Sequence, residues 1–191
     1  MFHESDYEAE FLSMLDSQGW HHLPGNSIPR ASQREVLYID DMEQFLRSGN
    51  PGLTPEEIRK IINTVRYVGA ESDFAALHKI HTMLVDGITF TPKNGHPRII
   101  HPIDFGSPSS NIFRAVSQFA VEYSGNGQAQ TRRPDILLFV NGIPLCIIEL
   151  KNYASDSGTK IHDAWEQIHE CYWRDIPHLL RYSSVDRKSV V

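Results

Sequence analysis

Apolar positions recur every three or four residues through the first half of this chain, whereas in the second half they alternate or form short branched runs. The first spacing builds one face of a helix and the second builds strands, so the pattern predicts a helical first half and a sheet-centred second half. Tyr7, Phe11 and Leu15 line a helix over residues 5–17, with Gly19 as its stop. Residues 23–34, which contain Pro and Gly, read as a loop. Met42, Phe45 and Leu46 mark a short helix after Asp40 or Asp41. Thr54-Pro55-Glu56-Glu57 opens another, with Thr54 as cap, Pro55 in the first turn and Glu57 closing a capping box; Ile58, Ile61, Ile62 and Val65 form its inner face. A further helix runs from about residue 73 to 86 and ends at Gly87.

Strand spacing follows at residues 88–91, 99–104 and 117–123, where Phe119, Val121 and Tyr123 alternate. Residues 124–130 read as a polar, Gly-containing turn. Two apolar runs come next, Ile136-Leu137-Leu138-Phe139-Val140 and Ile143-Pro144-Leu145-Cys146-Ile147-Ile148, and the Asn141-Gly142 pair between them signals a hairpin. Residues 159–172 read as a helix packed over the sheet, with Gln167 directed toward the hairpin's open end. There is no internal repeat and no low-complexity tract.

The hairpin carries charge where its strands end. Asp135 precedes the first run, and Glu149 and Lys151 follow the second on one face, opposite Cys146, Ile148 and Leu150. Two carboxylates suit a hard divalent ion, which takes oxygen ligands and keeps its remaining positions for water and phosphate; the Leu150 carbonyl is a candidate third ligand. A water bound to such an ion loses a proton near neutral pH, and Lys151 would orient that water or offset charge developing on a phosphate. Parity sets a condition. A two-residue Asn141-Gly142 loop alone sets Asp135 opposite Ile148 and turns Glu149 away. The functional reading therefore requires a three-residue Val140-Asn141-Gly142 connection, which pairs Phe139 with Ile143 and sets Asp135 opposite Ile147, or an equivalent bulge.

These residues resemble a known family. Pro134-Asp135, thirteen residues of hairpin, then Glu149-Leu150-Lys151 is similar to the PD-(D/E)xK nuclease motif. More narrowly, the chain resembles the N-terminal nuclease domain of the restriction (HsdR, or R) subunit of type I restriction-modification enzymes. The supporting segments are Asn111-Ile112-Phe113-Arg114-Ala115-Val116 with Gln118-Phe119, residues 138–145, and Trp165-Glu166-Gln167-Ile168-His169 leading to Arg174-Asp175-Ile176-Pro177-His178-Leu179. The resemblance covers residues 5 to 182. It implies an α/β restriction-endonuclease-like core, a mixed sheet flanked by helices, with an additional N-terminal helical region inserted at about residues 40–87. It implies Asp135, Glu149 and Lys151 as catalytic positions, and Gln167 and Tyr172 as the family's accessory Gln-and-Tyr element. Family members differ in that spacing; here Tyr172 stands five after Gln167, and Cys171 occupies the alternative place. Glu8 carries two readings: the glutamate that related nucleases place on their first helix, and the closing residue of a Ser5-Asp6-Tyr7-Glu8 capping box.

Length and composition fit this picture. A chain of 191 residues that is 40% hydrophobic can form one sizeable core with a helical annex. No apolar run approaches membrane-spanning length and no leader pattern is seen, so a cytoplasmic location is expected. Cys146 and Cys171 belong to no paired motif, which argues against a disulfide framework. His78 and His81, with His21-His22 or His101, lack a thiolate partner at zinc-site spacing, and no P-loop sequence is present. A net charge of −6 disfavours a domain that grips DNA alone by bulk electrostatics, although Arg132, Arg133, Lys151 and Lys160 flank the candidate site.

The expected function is metal-dependent cleavage of double-stranded DNA by the nuclease part of a type I R subunit. The expected cofactor is magnesium, with manganese as a substitute; ATP enters only through a motor domain outside this sequence. The expected partners are duplex DNA and the methyltransferase and specificity subunits, with sequence choice left to them. Residues 183–191 depart from the family pattern and read as a divergent tail truncated before the motor domain. A noncatalytic docking module of the same complex and a stand-alone repair-type nuclease are the alternatives; the acidic balance counts against the latter.

Overall fold

The computed structural model describes residues 4–69, 72–150 and 160–183. Eight strands and seven α-helices appear among the described residues. In chain order they are α1 (Glu4–Ser17), β1 (His21–Pro24), α2 (Ile39–Gly49), α3 (Pro55–Arg66), α4 (Asp73–Asp86), β2 (Ile88–Phe90), β3 (Arg98–Ile100), β4 (Phe113–Ser117), β5 (Val121–Gly125), β6 (Gln128–Arg132), β7 (Ile136–Val140), β8 (Ile143–Ile148), α5 (Lys160–Glu166), α6 (Trp173–Asp175) and α7 (Pro177–Leu180). A π-helical segment, Gln167–Tyr172, joins α5 to α6.

The central sheet has the order β1-β4-β7-β8, with β1 parallel to β4 and the other pairs antiparallel. It is covered on both faces. Leu12 and Leu15 of α1 pack against Ala115 and Ile136, with Ile148 and Leu150 beside them. Val116, Leu137, Phe139 and Ile147 point to the other face, into a core shared with α2, α3, α4 and Tyr172. Burial on two sides explains why β7 reads as a continuous apolar run rather than an alternating one. The mixed sheet flanked by helices is the α/β, restriction-endonuclease-like architecture expected from the sequence.

The locally encoded helices form as the sequence predicts. Thr54 accepts from the Glu57 amide while the Glu57 carboxylate accepts from the Thr54 amide, and Pro55 takes the first turn. α4 starts on the Ser72 side chain and stops at Gly87, where φ is +83°. α1 already includes Glu4 and Ser5, ahead of the expected start at residue 5.

The sheet departs from expectation in four places. The region read as a loop at residues 23–34 is entered by the end of β1, the four-residue edge strand His21-His22-Leu23-Pro24, which carries no apolar alternation. The strand expected over 117–123 is two strands separated by a corner, because Gln118 takes a left-handed φ of +53°. Gly25 lies close under that corner, where a Cβ would sit 2.6 Å from the Phe119 Cα, and Arg30 donates to the Ala120 carbonyl across 2.8 Å. The segment at 124–130, read as a turn, is instead the tip and arms of the β5–β6 hairpin. The strand expected over 99–104 ends at Ile100.

Candidate active site

The β7–β8 hairpin meets the parity condition by a bulge. Val140 pairs with Ile143, so the connection is the two-residue Asn141-Gly142 turn rather than the expected three-residue one. Both turn residues are left-handed, at φ +50° and +78°, as a type I′ turn requires. A Cβ on Gly142 would overlap the Tyr38 carbonyl oxygen. Asn141 is buried, and its side chain accepts from the Ile112 amide while donating to the Pro102 carbonyl and the Asn111 side chain. These contacts hold the short turn in place.

The register then slips by one. Phe139 faces Pro144 but Leu138 faces Cys146, so Leu145 is the extra residue of a bulge. Beyond it Leu137 pairs with Ile147 and Ile136 with Ile148. Continued by one step, that register would set Asp135 across from Glu149, on the face of Leu137 and Ile147 and away from α1. Asp135 Oδ2 accepts from the Leu150 amide at 2.8 Å, which fixes the carboxylate at the mouth of the hairpin. The corner of β4 holds it from the other side: the Gln118 amide donates to the Asp135 carbonyl at 2.9 Å, and Gln118 Nε2 lies 3.3 Å from Asp135 Oδ1.

Glu149 is held by the π-helical segment. Gln167 Nε2 donates to Glu149 Oε2 at 2.8 Å and to the Tyr172 hydroxyl at 2.7 Å, and that hydroxyl donates to Glu149 Oε1 at 2.6 Å. In an α-helix, residues five apart point about 140° away from each other. Here the Trp173 amide bonds the Ile168 carbonyl, five residues back. That wider turn nearly superposes Gln167 and Tyr172, which is how a five-residue spacing serves one carboxylate. The helix expected over 159–172 is thus α-helical only to Glu166. Tyr172 is 1% exposed, and its ionisation is pushed well up by burial, then by the neighbouring Glu149 and Asp135 charges.

The donor set fits a hard cation. Two carboxylates directly across a strand pair repel unless donors or a cation lie between them. Among the described residues no group of three or more His, Cys, Asp or Glu side chains is placed to hold a metal ion.

The other expected site residues have different placements. Lys151 lies outside the described residues. Lys160 begins α5. Glu8 is half-buried on α1, the helix on the opposite face of the sheet. Arg132, expected to flank the site, has its guanidinium committed to Asp175 at 2.8 and 2.5 Å. Cys146 and Cys171 are both free thiols, and burial pushes the Cys146 thiol's pKa up. Sequence reasoning missed Gln118 as a support of Asp135, because nothing in the local pattern signals a left-handed corner at a glutamine.

The whole chain is similar to one family. Residues 1–189 match the family described as type I restriction enzyme R protein N terminus. A putative type I restriction enzyme MjaIXP endonuclease subunit from Methanocaldococcus jannaschii is 32% identical over 94% of this chain and 18% of its own length. The type I restriction enzyme HindI endonuclease subunit of Haemophilus influenzae is 28% identical over 96% of this chain and 18% of its own length. The type I restriction enzyme EcoprrI endonuclease subunit of Escherichia coli is 28% identical over 87% of this chain and 48% of its own length. The chain thus spans about a fifth of the first two relatives. With a match over nearly its full length, this chain belongs to the type I restriction enzyme R protein N-terminal family.

Proposed function

We propose that this domain hydrolyses phosphodiesters of double-stranded DNA, using a divalent ion held by Asp135 and Glu149, as the nuclease part of a type I restriction-modification R subunit. The observation that carries the reading is the facing of these two carboxylates. A bulge at Leu145 is needed to achieve it, and Gln118, Leu150, Gln167 and Tyr172 all bond to the pair. A purely structural pair of surface acids needs no such support. The relatives' names as endonuclease subunits agree with it.

Asp135 and Glu149 would hold magnesium, or manganese in its place, with the Leu150 carbonyl as a third ligand. When bound, the ion supplies a lowered pKa to a coordinated water and a counter-charge to the phosphate. The chain's own residues keep the site ready. The Leu150 amide fixes one oxygen of Asp135, and the Gln167–Tyr172 pair fixes both oxygens of Glu149. These are neutral donors, so they orient Glu149 without cancelling its charge. Lys151 would orient the attacking water or offset charge on the phosphate. DNA would be delivered by a motor domain and by the methyltransferase and specificity subunits, which would also carry ATP use and sequence choice.

Incubation of the purified chain with supercoiled plasmid and magnesium or manganese, beside Asp135→Ala and Lys151→Ala variants, tests the site. Metal-dependent nicking that both substitutions abolish is expected. Cleavage unchanged by either would sink the assignment.

A further inference from the structure

Immediately before the candidate site the chain projects the β5–β6 hairpin, and we infer that this ribbon is the arm by which the domain lies along duplex DNA. The inference rests on the nuclease reading of Asp135 and Glu149 and adds to it the element that would position the duplex. Its first support is continuity. β6 ends at Arg132, and only Arg133 and Pro134 separate it from Asp135.

The ribbon's base is fixed on both sides. Arg132 is bonded to Asp175 of α6 and lies 5.5 Å over the Tyr123 ring. On the other side Arg34 donates to Glu122 at 3.0 Å and to the Ser124 hydroxyl at 2.8 Å, and the Glu122 amide donates to the Gln33 carbonyl. The ribbon is therefore anchored to α6, the helix that follows Tyr172 in the chain. What binds its tip is placed relative to Asp135 and Glu149.

The tip has the chemistry of a polyanion contact. Residues 126–131 are all exposed, and from residue 123 to 134 the sequence has no Asp or Glu; Arg133 is exposed, while Arg132 is committed to Asp175. Glu122, the acid of β5, is paired with Arg34. In a chain of net charge −6 this acid-free stretch is suited to approach by phosphate. Asn126, Gln128, Thr131 and the exposed Arg133 are of the types that contact phosphate and sugar without reading sequence. Ala129 is the one apolar residue among 126–131, so the tip lacks the apolar centre of a protein-binding surface.

The dimensions also fit. A two-stranded ribbon is narrow enough to enter the major groove of B-DNA. At about 3.4 Å per residue, β6 from Arg132 back to Gln128 spans roughly 14 Å, a length of about four base pairs.

The test is a titration of the isotope-labelled full chain with a 16-base-pair duplex, at low salt and without divalent ions, followed by amide NMR. Shifts concentrated at residues 126–133 are expected. A Gln128→Ala, Arg133→Ala double variant should bind about tenfold more weakly and lose about one unit of the salt-dependence slope, with an unchanged melting temperature. Absence of shifts, shifts lying elsewhere, or equal binding by the double variant would overturn the inference. Asp135→Asn separates it from the nuclease reading. Plasmid cleavage surviving that change would defeat the site assignment, whereas loss of the hairpin shifts in the wild-type chain would defeat the ribbon alone.

Discussion

Replacing Tyr172 by Phe removes one buried hydroxyl and leaves the ring in place. The side chain is 1% exposed, and its hydroxyl donates to Glu149 at 2.6 Å while accepting from Gln167 at 2.7 Å. A hydrogen bond to a charged group contributes about 1.5–3 kcal/mol. At about 2–4 °C per kcal/mol for a domain of this size, the melting temperature at pH 7 should fall by about 3–12 °C. The difference should depend on pH with a definite sign. Burial, followed by the charges of Glu149 and Asp135, raises the Tyr172 pKa in the folded protein. The unfolded tyrosine ionises near its ordinary value of about 10. Its contribution is therefore fully present below that pH and is lost as pH rises, by about 1.4 kcal/mol per unit. Above about pH 10 the stabilities of wild type and Tyr172→Phe should converge. Denaturant unfolding at several pH values measures this. A variant as stable as wild type at pH 7, or a gap that widens in alkali, would refute the geometry around Glu149.

Three other substitutions address the frame that positions the site. Gly142→Ala forces a side chain into a left-handed position and against the Tyr38 backbone, and should cost about 3 kcal/mol in a denaturant melt. Asn141→Ala strips the Ile112 amide and the Pro102 carbonyl of their partner and should cost about 2–4 kcal/mol by the same measurement. Arg114→Ala leaves the Asp41 carboxylate, 3% exposed, without its two-bond guanidinium partner, and should cost about 3 kcal/mol; the double change with Asp41→Asn should recover part of it.

What could be read from the sequence was what short segments encode by themselves. The Thr54–Glu57 box, the Gly87 stop and the Asn141-Gly142 turn each depend on a few adjacent residues, and each is found. The remainder depends on distant partners. β1 is a strand because β4 lies beside it, and the Gln118 corner forms over Gly25 and Arg30. At the site, parity made plain that a two-residue turn needed compensation, but the position of the bulge at Leu145 is a property of the packed sheet. The five-residue Gln167–Tyr172 spacing became intelligible only with the π-helical turn. Arg132 was legible only as a positive group flanking the site, because Asp175, its partner, lies 43 residues away in the chain.

The most direct measurement of the central claim is DNA cutting by a full-length R subunit carrying Glu149→Ala, assembled with the methyltransferase and specificity subunits proposed as its partners and supplied with magnesium and ATP. The account predicts that cleavage is lost while ATP hydrolysis continues, because the substitution removes one of the two facing carboxylates and nothing of the motor. Cleavage retained at the wild-type rate would contradict it.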